Sequence, residues 1–254
     1  MYLSKDRQVN AVKGTLDCDI KLCNAANFKG KTIDDKPFSF RILRNPKGKR
    51  QVSLHAESAG TFLKAVGIFD TMQGGDLTIT GSYDDTTENS ILKARADISS
   101  YTIKNAPVLA KMLSLASFTG FFDTLNGKGI IFNKLRAPFT LTKDLLTVKD
   151  AKTYGDAMGM TIEGTIAFPK QTLDLSGTIV PSYSANTVLG KIPLIGNALM
   201  GGEGKGIFAA SYSIKGSGNE PEVRVNPLSI LTPGFLRGMF DIFDSPSKTD
   251  DEEE

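Results

Sequence analysis

Few side chains in this sequence are equipped for chemistry. Its single histidine, His55, sits in "VSLHAES". A hydrolase needs a nucleophile hydrogen-bonded to a base, or two carboxylates placed across a cleft. No Gly-x-Ser-x-Gly or His-Glu-x-x-His surrounds His55, and it reads as a structural strand histidine. The adjacent acids Asp34–Asp35 and Asp84–Asp85 fall in turn sequences, where aspartate bonds its own backbone, so they do not read as metal ligands. "GGEGKG" (201–206) has the glycines of a phosphate loop. It lacks the closing Gly-Lys-Ser/Thr, and it precedes a strand rather than a helix. Cys18 and Cys23 are five residues apart. On one extended strand they would be ~16 Å apart and on opposite faces, too far for a bridge, so they read as two unpaired small apolar residues. No metal motif or cofactor motif is present. Basic residues interleaved with aromatics on one face, the signature of nucleic-acid binding, are missing as well. The expectation is a protein that is not an enzyme, with no cofactor, no metal and no nucleic-acid partner.

The elements around these residues explain the poverty. Apolar residues alternate with polar ones almost throughout, the period of half-buried strands. Phe38, Phe40 and Ile42 alternate in "FSFRI", and Leu77, Ile79 and Tyr83 in "DLTITGSY". Leu92, Ala94, Ala96 and Ile98 follow the same pattern. So do Met158, Met160, Ile162, Ile166 and Phe168, then Leu173, Leu175 and Ile179, then Phe208, Ala210, Tyr212 and Ile214. Turn sequences such as "NPKGK", "YDDTTEN" and "GNEPE" bound these runs. The fold class is therefore mainly β: a curved antiparallel sheet, as an open groove or a partly closed sandwich.

Three stretches break the alternation. "NAPVLAKMLSLASFTGFFDTLNGKG" predicts one long helix over Pro107–Leu125, with Asn105 as N-cap, Pro107 at its first position and Gly127 as its stop. Asn186 to Met200 predicts short helical turns. "LTPGFLRGMFDIFD" predicts a C-terminal amphipathic helix of about three turns, capped by Thr232. Phe118, Phe121 and Phe122 in the first, and Phe235, Leu236, Phe240 and Phe243 in the last, form apolar stripes that either seal the end of a core or touch a membrane.

The 254 residues carry a net charge of +2, but the tail Ser245–Glu254 holds five acids and one lysine. The rest of the chain is therefore +6, compatible with anionic headgroups, and the tail reads as disordered. The division expected is a single domain over 1–244 followed by that tail over 245–254. The opening "MYLSKDRQVNAVKG" contains no apolar run, so neither a signal peptide nor a transmembrane helix is expected in it.

Gly74–Phe243 resembles the C-terminal region of the AsmA-like bacterial envelope proteins, the YhdP-type group. The resemblance is carried by "GKGIIFNKLRAPFTL", the strand pair "MTIEGTIAF…TLDLSGTIVPSY", the "LGKIPLIG" turn with its glycine loop, "FAASYSIKGSGNEPEVRVNPLS" and the closing "LTPGFLRGMF". It implies a segment of a long β-groove protein of the periplasm, membrane-associated, that conducts phospholipids towards the outer membrane. The resemblance brings no catalytic residues. It implies a lipid groove floored by Met158, Met160, Ile162, Ile166, Phe168, Leu173, Leu175, Ile179, Phe208 and Tyr212. The partners implied are phospholipid acyl chains, a membrane surface, and other envelope proteins or an anchor portion encoded elsewhere. Periodicity alone fits two arrangements of the same face: an open lipid groove, or the closed core of an envelope scaffold whose helices are docking surfaces.

Overall fold

The computed structural model describes residues 2–4, 7–19, 22–86, 90–118, 121–181, 208–218 and 220–230. Among the described residues thirteen strands pair in strict chain order into one antiparallel sheet: β1 (Tyr2–Ser4), β2 (Arg7–Cys18), β3 (Cys23–Thr32), β4 (Pro37–Arg44), β5 (Arg50–Ala56), β6 (Met72–Asp84), β7 (Ile91–Ile103), β8 (Ile130–Leu141), β9 (Leu145–Tyr154), β10 (Met158–Ala167), β11 (Thr172–Pro181), β12 (Phe208–Ser217) and β13 (Glu222–Ile230). The first and last strands do not pair with one another, so the sheet is open. Among the described residues three helices interrupt it: α1 (Ala59–Ala65) between β5 and β6, and α2 (Pro107–Leu115) and α3 (Phe122–Asn126) between β7 and β8.

The register turns the sequence alternation into continuous rungs. Phe38 faces Ala56, which faces Leu77, which faces Ile98, which faces Leu135. A second rung runs Ala26, Ile42, Val52, Gly81, Ala94 and Phe139. Directly paired residues point to the same side of a sheet, so one face is apolar from β3 onwards. The opposite face carries Asn27, Arg41, Ser53, Thr80 and Arg95 in the same register, and it is polar for the same reason. Where the register shifts between β9 and its two neighbours, Asp150 stands at φ 52, one extra residue on β9. Such bulges bend a strand and increase its twist.

The helices show how far the sheet curves. α2 leaves from β7 and β8 yet packs against β13, five strands further on. In a flat sheet that strand would lie about 24 Å away. The sheet therefore wraps around the helix, and the apolar face is the concave one. α1 lies so close on β6 that a Cβ at Gly60 would stand 2.3 Å from the Met72 carbonyl oxygen, which leaves room for glycine alone.

Three expectations are corrected. The single helix over Pro107–Leu125 is two: α2 stops at Ala116, Ser117 takes φ 62, and α3 begins at Phe122. Pro107 does open α2, but the N-cap is Ala106, while Asn105 sits in the left-handed region at φ 52. Cys18 and Cys23 form a disulfide, with Cα atoms 3.8 Å apart. The expected separation assumed one uninterrupted strand. The chain instead reverses between them, and they are the terminal pair of the β2–β3 hairpin. Helix α1 was not anticipated, although Ala59, Phe62 and Ala65 recur at helical spacing and are buried, together with Gly60. The expected turns over 186–200, the C-terminal helix with Phe235, Leu236, Phe240 and Phe243, and the acidic tail lie outside the described residues.

Candidate functional site: a half-covered apolar face

The part of the concave face expected to bind lipid is built by side chains that the alternation of β10, β11 and β12 directs inward. Met160 pairs with Ile179, which pairs with Ala210; Gly164 pairs with Leu175 and Ile166 with Leu173. Met158, Met160, Ile162 and Ile166 therefore share one side with Leu173, Leu175, Ile179 and Tyr212, as their spacing implied. Of the other two expected floor residues, Phe168 lies past the end of β10, in the turn to β11, and is 46% exposed. Phe208 opens β12; its side chain lies outside the described residues.

Burial changes along this face. At the helix end Met158 and Ile179 are fully buried, packed in one cluster with Leu109, Met112 and Leu113 of α2, Leu125 of α3 and Phe132 of β8. Phe118 belongs to the same cluster, with Phe121 packed edge-on against it at 6.5 Å between ring centres. These two aromatics thus seal the end of the core instead of facing outward; the Phe122 side chain lies outside the described residues. At the far ends of β9, β10 and β11, Leu146, Val148, Ile166, Leu173 and Leu175 are only half-buried. The cause is connectivity. α1, α2 and α3 are inserted in connections at one end of the sheet, whereas tight turns such as 142–144 and 168–171 close the other. A turn of three or four residues is too short to lay a helix over the strands, and Phe168, in the second of these turns, stays 46% exposed.

Two tyrosines show how polar atoms are handled on this face. Tyr212 lies over Gly177, its register partner, and its hydroxyl donates to the Thr161 carbonyl oxygen two strands away at 2.7 Å. A Cβ at Gly177 would stand 1.9 Å from that carbonyl oxygen and 2.8 Å from the tyrosine hydroxyl. The Tyr101 hydroxyl meets that of Thr153 at 2.5 Å. Burial pushes both phenols well above the usual range, so both stay neutral and neither is a base near neutral pH.

The far rim also holds a polar clasp that no local signal in the sequence announced. Arg50 is 3% exposed, and its guanidinium lies 3.9 Å from the centre of the Tyr83 ring. It donates to both Asp85 carboxylate oxygens at 2.9 and 2.5 Å, to the Cys23 carbonyl oxygen at 2.8 Å, and to Ser90. A buried guanidinium needs this full set of partners. The hydrogen bonds from Arg50 hold the Asp85 carboxyl down at about 2. Arg50 and Asp85 are 35 residues apart, which is why Asp85 read as a turn aspartate alone.

The polar face holds the remaining groups of chemical interest. His55 is in β5, as its sequence context implied, with Nε2 3.7 Å from the Asp76 carboxylate and both side chains half-exposed. Ser39 is its cross-strand neighbour, but no hydrogen bond joins Ser39 to His55 among the described residues. A serine–histidine–aspartate relay needs that bond, with the carboxylate on the other ring nitrogen. A shallow depression of about 660 Å³ surrounds this spot, lined by Lys13, Lys29, Lys31, Asn27, Ser39 and His55 among others. Lys31 is bound to Asp35 at 2.9 Å. Among the described residues no group of three or more histidine, cysteine, aspartate or glutamate side chains could hold a metal ion, and no helix is long and apolar enough to cross a membrane.

The arrangement can shelter apolar chains along a curved trough, closed by helices at one end and bordered by half-buried aliphatic side chains at the other. No family model matches the chain, no curated protein matches it, and no solved structure matches its fold.

Proposed function

We propose that this chain is a non-enzymatic lipid-binding module of the bacterial cell envelope. It holds phospholipid acyl chains against the far ends of β9, β10 and β11 and takes part in phospholipid transport between inner and outer membranes and in outer-membrane maintenance. The observation that carries the reading is the one-sided apolar face that, among the described residues, is left half-buried at the far ends of β9, β10 and β11. An aliphatic surface half-open to water gains about 25 cal/mol for each Å² that a ligand removes from it, and acyl chains, unlike most metabolites, offer only such surface. The +6 charge outside the acidic tail favours contact with anionic headgroups. The Cys18–Cys23 disulfide suits the oxidising compartments outside the cytoplasm, where such bonds persist, and so supports the periplasm-facing part of the proposed location.

The test is native mass spectrometry of the chain after incubation with vesicles of phosphatidylethanolamine and phosphatidylglycerol. The expected result is a folded protein carrying one or more phospholipids. A folded protein that leaves with none overturns the reading and favours the scaffold, in which the same face is closed core and the helices are docking surfaces.

A further inference from the structure

We propose that two copies of this chain pair through β2, antiparallel and in the register that sets Lys13 opposite the partner's Asp17. The inference goes beyond the lipid reading and does not depend on it. β1 covers β2 only at Arg7 and Gln8. From Asn10 to Cys18 every residue of β2 is exposed, and among the described residues nothing pairs with its outer edge. An edge of that length presents unpaired backbone donors and acceptors to any matching strand.

The match comes from β2 itself. Its regular pairing with β3 runs from Lys13 to Asp17 and is bounded on both sides by register shifts. The centre of that run is Thr15, with Lys13 and Asp17 at its two ends, both on the polar face. A two-fold axis at Thr15 brings Lys13 against Asp17 twice, once on each side. On the apolar face the same axis sets Leu16, 59% exposed, beside the partner's Gly14, next to the Phe28 ring that overlies that glycine. Lys13 has reason to accept the contact. Its cross-strand neighbour in β3 is Lys29, and among the described residues no carboxylate is bound to Lys13. Like charges directly opposite are unfavourable, and an opposite charge on the other flank relieves them. Any other register loses the paired Lys13–Asp17 contacts, and the following ones are worse still. Moving the axis to Lys13 or to Asp17 sets like charges face to face, and a slip of one residue sends the apolar side chains to the polar face.

The experiment is sedimentation equilibrium over a concentration series on the wild-type chain, K13D, D17K, the double variant K13D/D17K, and an equimolar mixture of the two single variants. Wild type is expected to dimerise reversibly. Each single variant places like charges opposite at two symmetry-related sites and is expected to weaken association about tenfold or more. The double variant and the mixture each restore two opposite-charge pairs and are expected to recover wild-type association. All the substituted side chains are exposed, and circular dichroism of each variant verifies the fold. A wild-type chain that is monomeric throughout overturns the proposal and leaves the edge to a strand of another protein or another segment. Single variants that dimerise as tightly as wild type, or a mixture that fails to recover, overturn it equally. Lipid capture by a monomer leaves the lipid reading standing, so the two proposals fail separately.

Discussion

The two ends of the concave face are made from the same kinds of residue at the same spacing, yet they are different materials. At the helix end Met158, Ile179 and Phe132 are lost to solvent beneath α2 and α3. At the far ends of β9 to β11, Ile166, Leu173 and Leu175 keep part of their surface in contact with water. The first end is held by packing. The far rim across β3 to β7 combines packing with chemistry: beside a second buried cluster of Ala26, Ile42, Val52 and Leu92 it has a disulfide, a guanidinium with carboxylate and carbonyl partners, and tight turns. The lesson is that alternation of apolar residues states which side of a strand is greasy, not whether that side is filled.

The sharpest way to break this comparison is a charge at each end. Met158→Asp places a carboxylate where neither water nor a cation reaches it. An uncompensated buried charge costs roughly 3–5 kcal/mol, so denaturant unfolding should show a protein largely unfolded or close to it. A loss of under about 1 kcal/mol there would mean the helix end is not the dry core described.

Replacing both cysteines with serine, or reducing the disulfide, should cost at most about 2 kcal/mol, the chain-entropy value for so short a loop. Because Cys23 also offers its carbonyl to Arg50, amide exchange should rise in the β2–β3 hairpin and around Arg50 and remain unchanged under α2. A uniform rise over the whole sheet would show that the two ends are not separately held.

The clasp gives a pH signature. Asp85 is held at about 2 in the folded protein against an ordinary 3.8. A depressed carboxylate contributes stability that is fully present above the unfolded value and is lost as pH falls through the folded one. The stability gap between wild type and Asp85→Asn should therefore be constant at neutral pH and narrow as pH falls from about 3.8 to about 2. A gap independent of pH across that window would remove the Arg50–Asp85 contact from the account of the far rim.

The smallest expected effect on stability is the most informative for function. Leu173→Asp or Ile166→Asp at the half-exposed end leaves the new carboxylate access to water, and should cost about 1 kcal/mol while abolishing phospholipid capture in the native mass spectrum. Intact capture in a folded variant would move the lipid site elsewhere on the chain.

Much of this was legible in the residues. The alternation in "DLTITGSY" and "MGMTIEGTIAF" placed β6 and β10 and named their inward side chains, because a strand has period two whatever its neighbours do. Pro107 at the start of a helix was legible for an equally local reason, its fixed φ and missing N–H. The break between α2 and α3 was not, because Leu109, Met112, Leu113 and Ala116, and then Phe118, Phe121, Phe122 and Leu125, each recur at helical spacing and together read as one helix. The left-handed Ser117 that separates the helices lets Leu113, Phe118 and Leu125 reach the same cluster.

Local spacing was enough to place several of the strands and their inward and outward sides, since each is set by residues within a few positions of one another. The tertiary structure alone decided three things: that the chain reverses between Cys18 and Cys23 and joins them, that Arg50 finds Asp85 across 35 residues, and that the sheet curls until α2 meets β13. Each depends on which distant segments come to lie side by side. That choice is made by the curvature of the whole sheet and the surface it buries, and no local spacing encodes it.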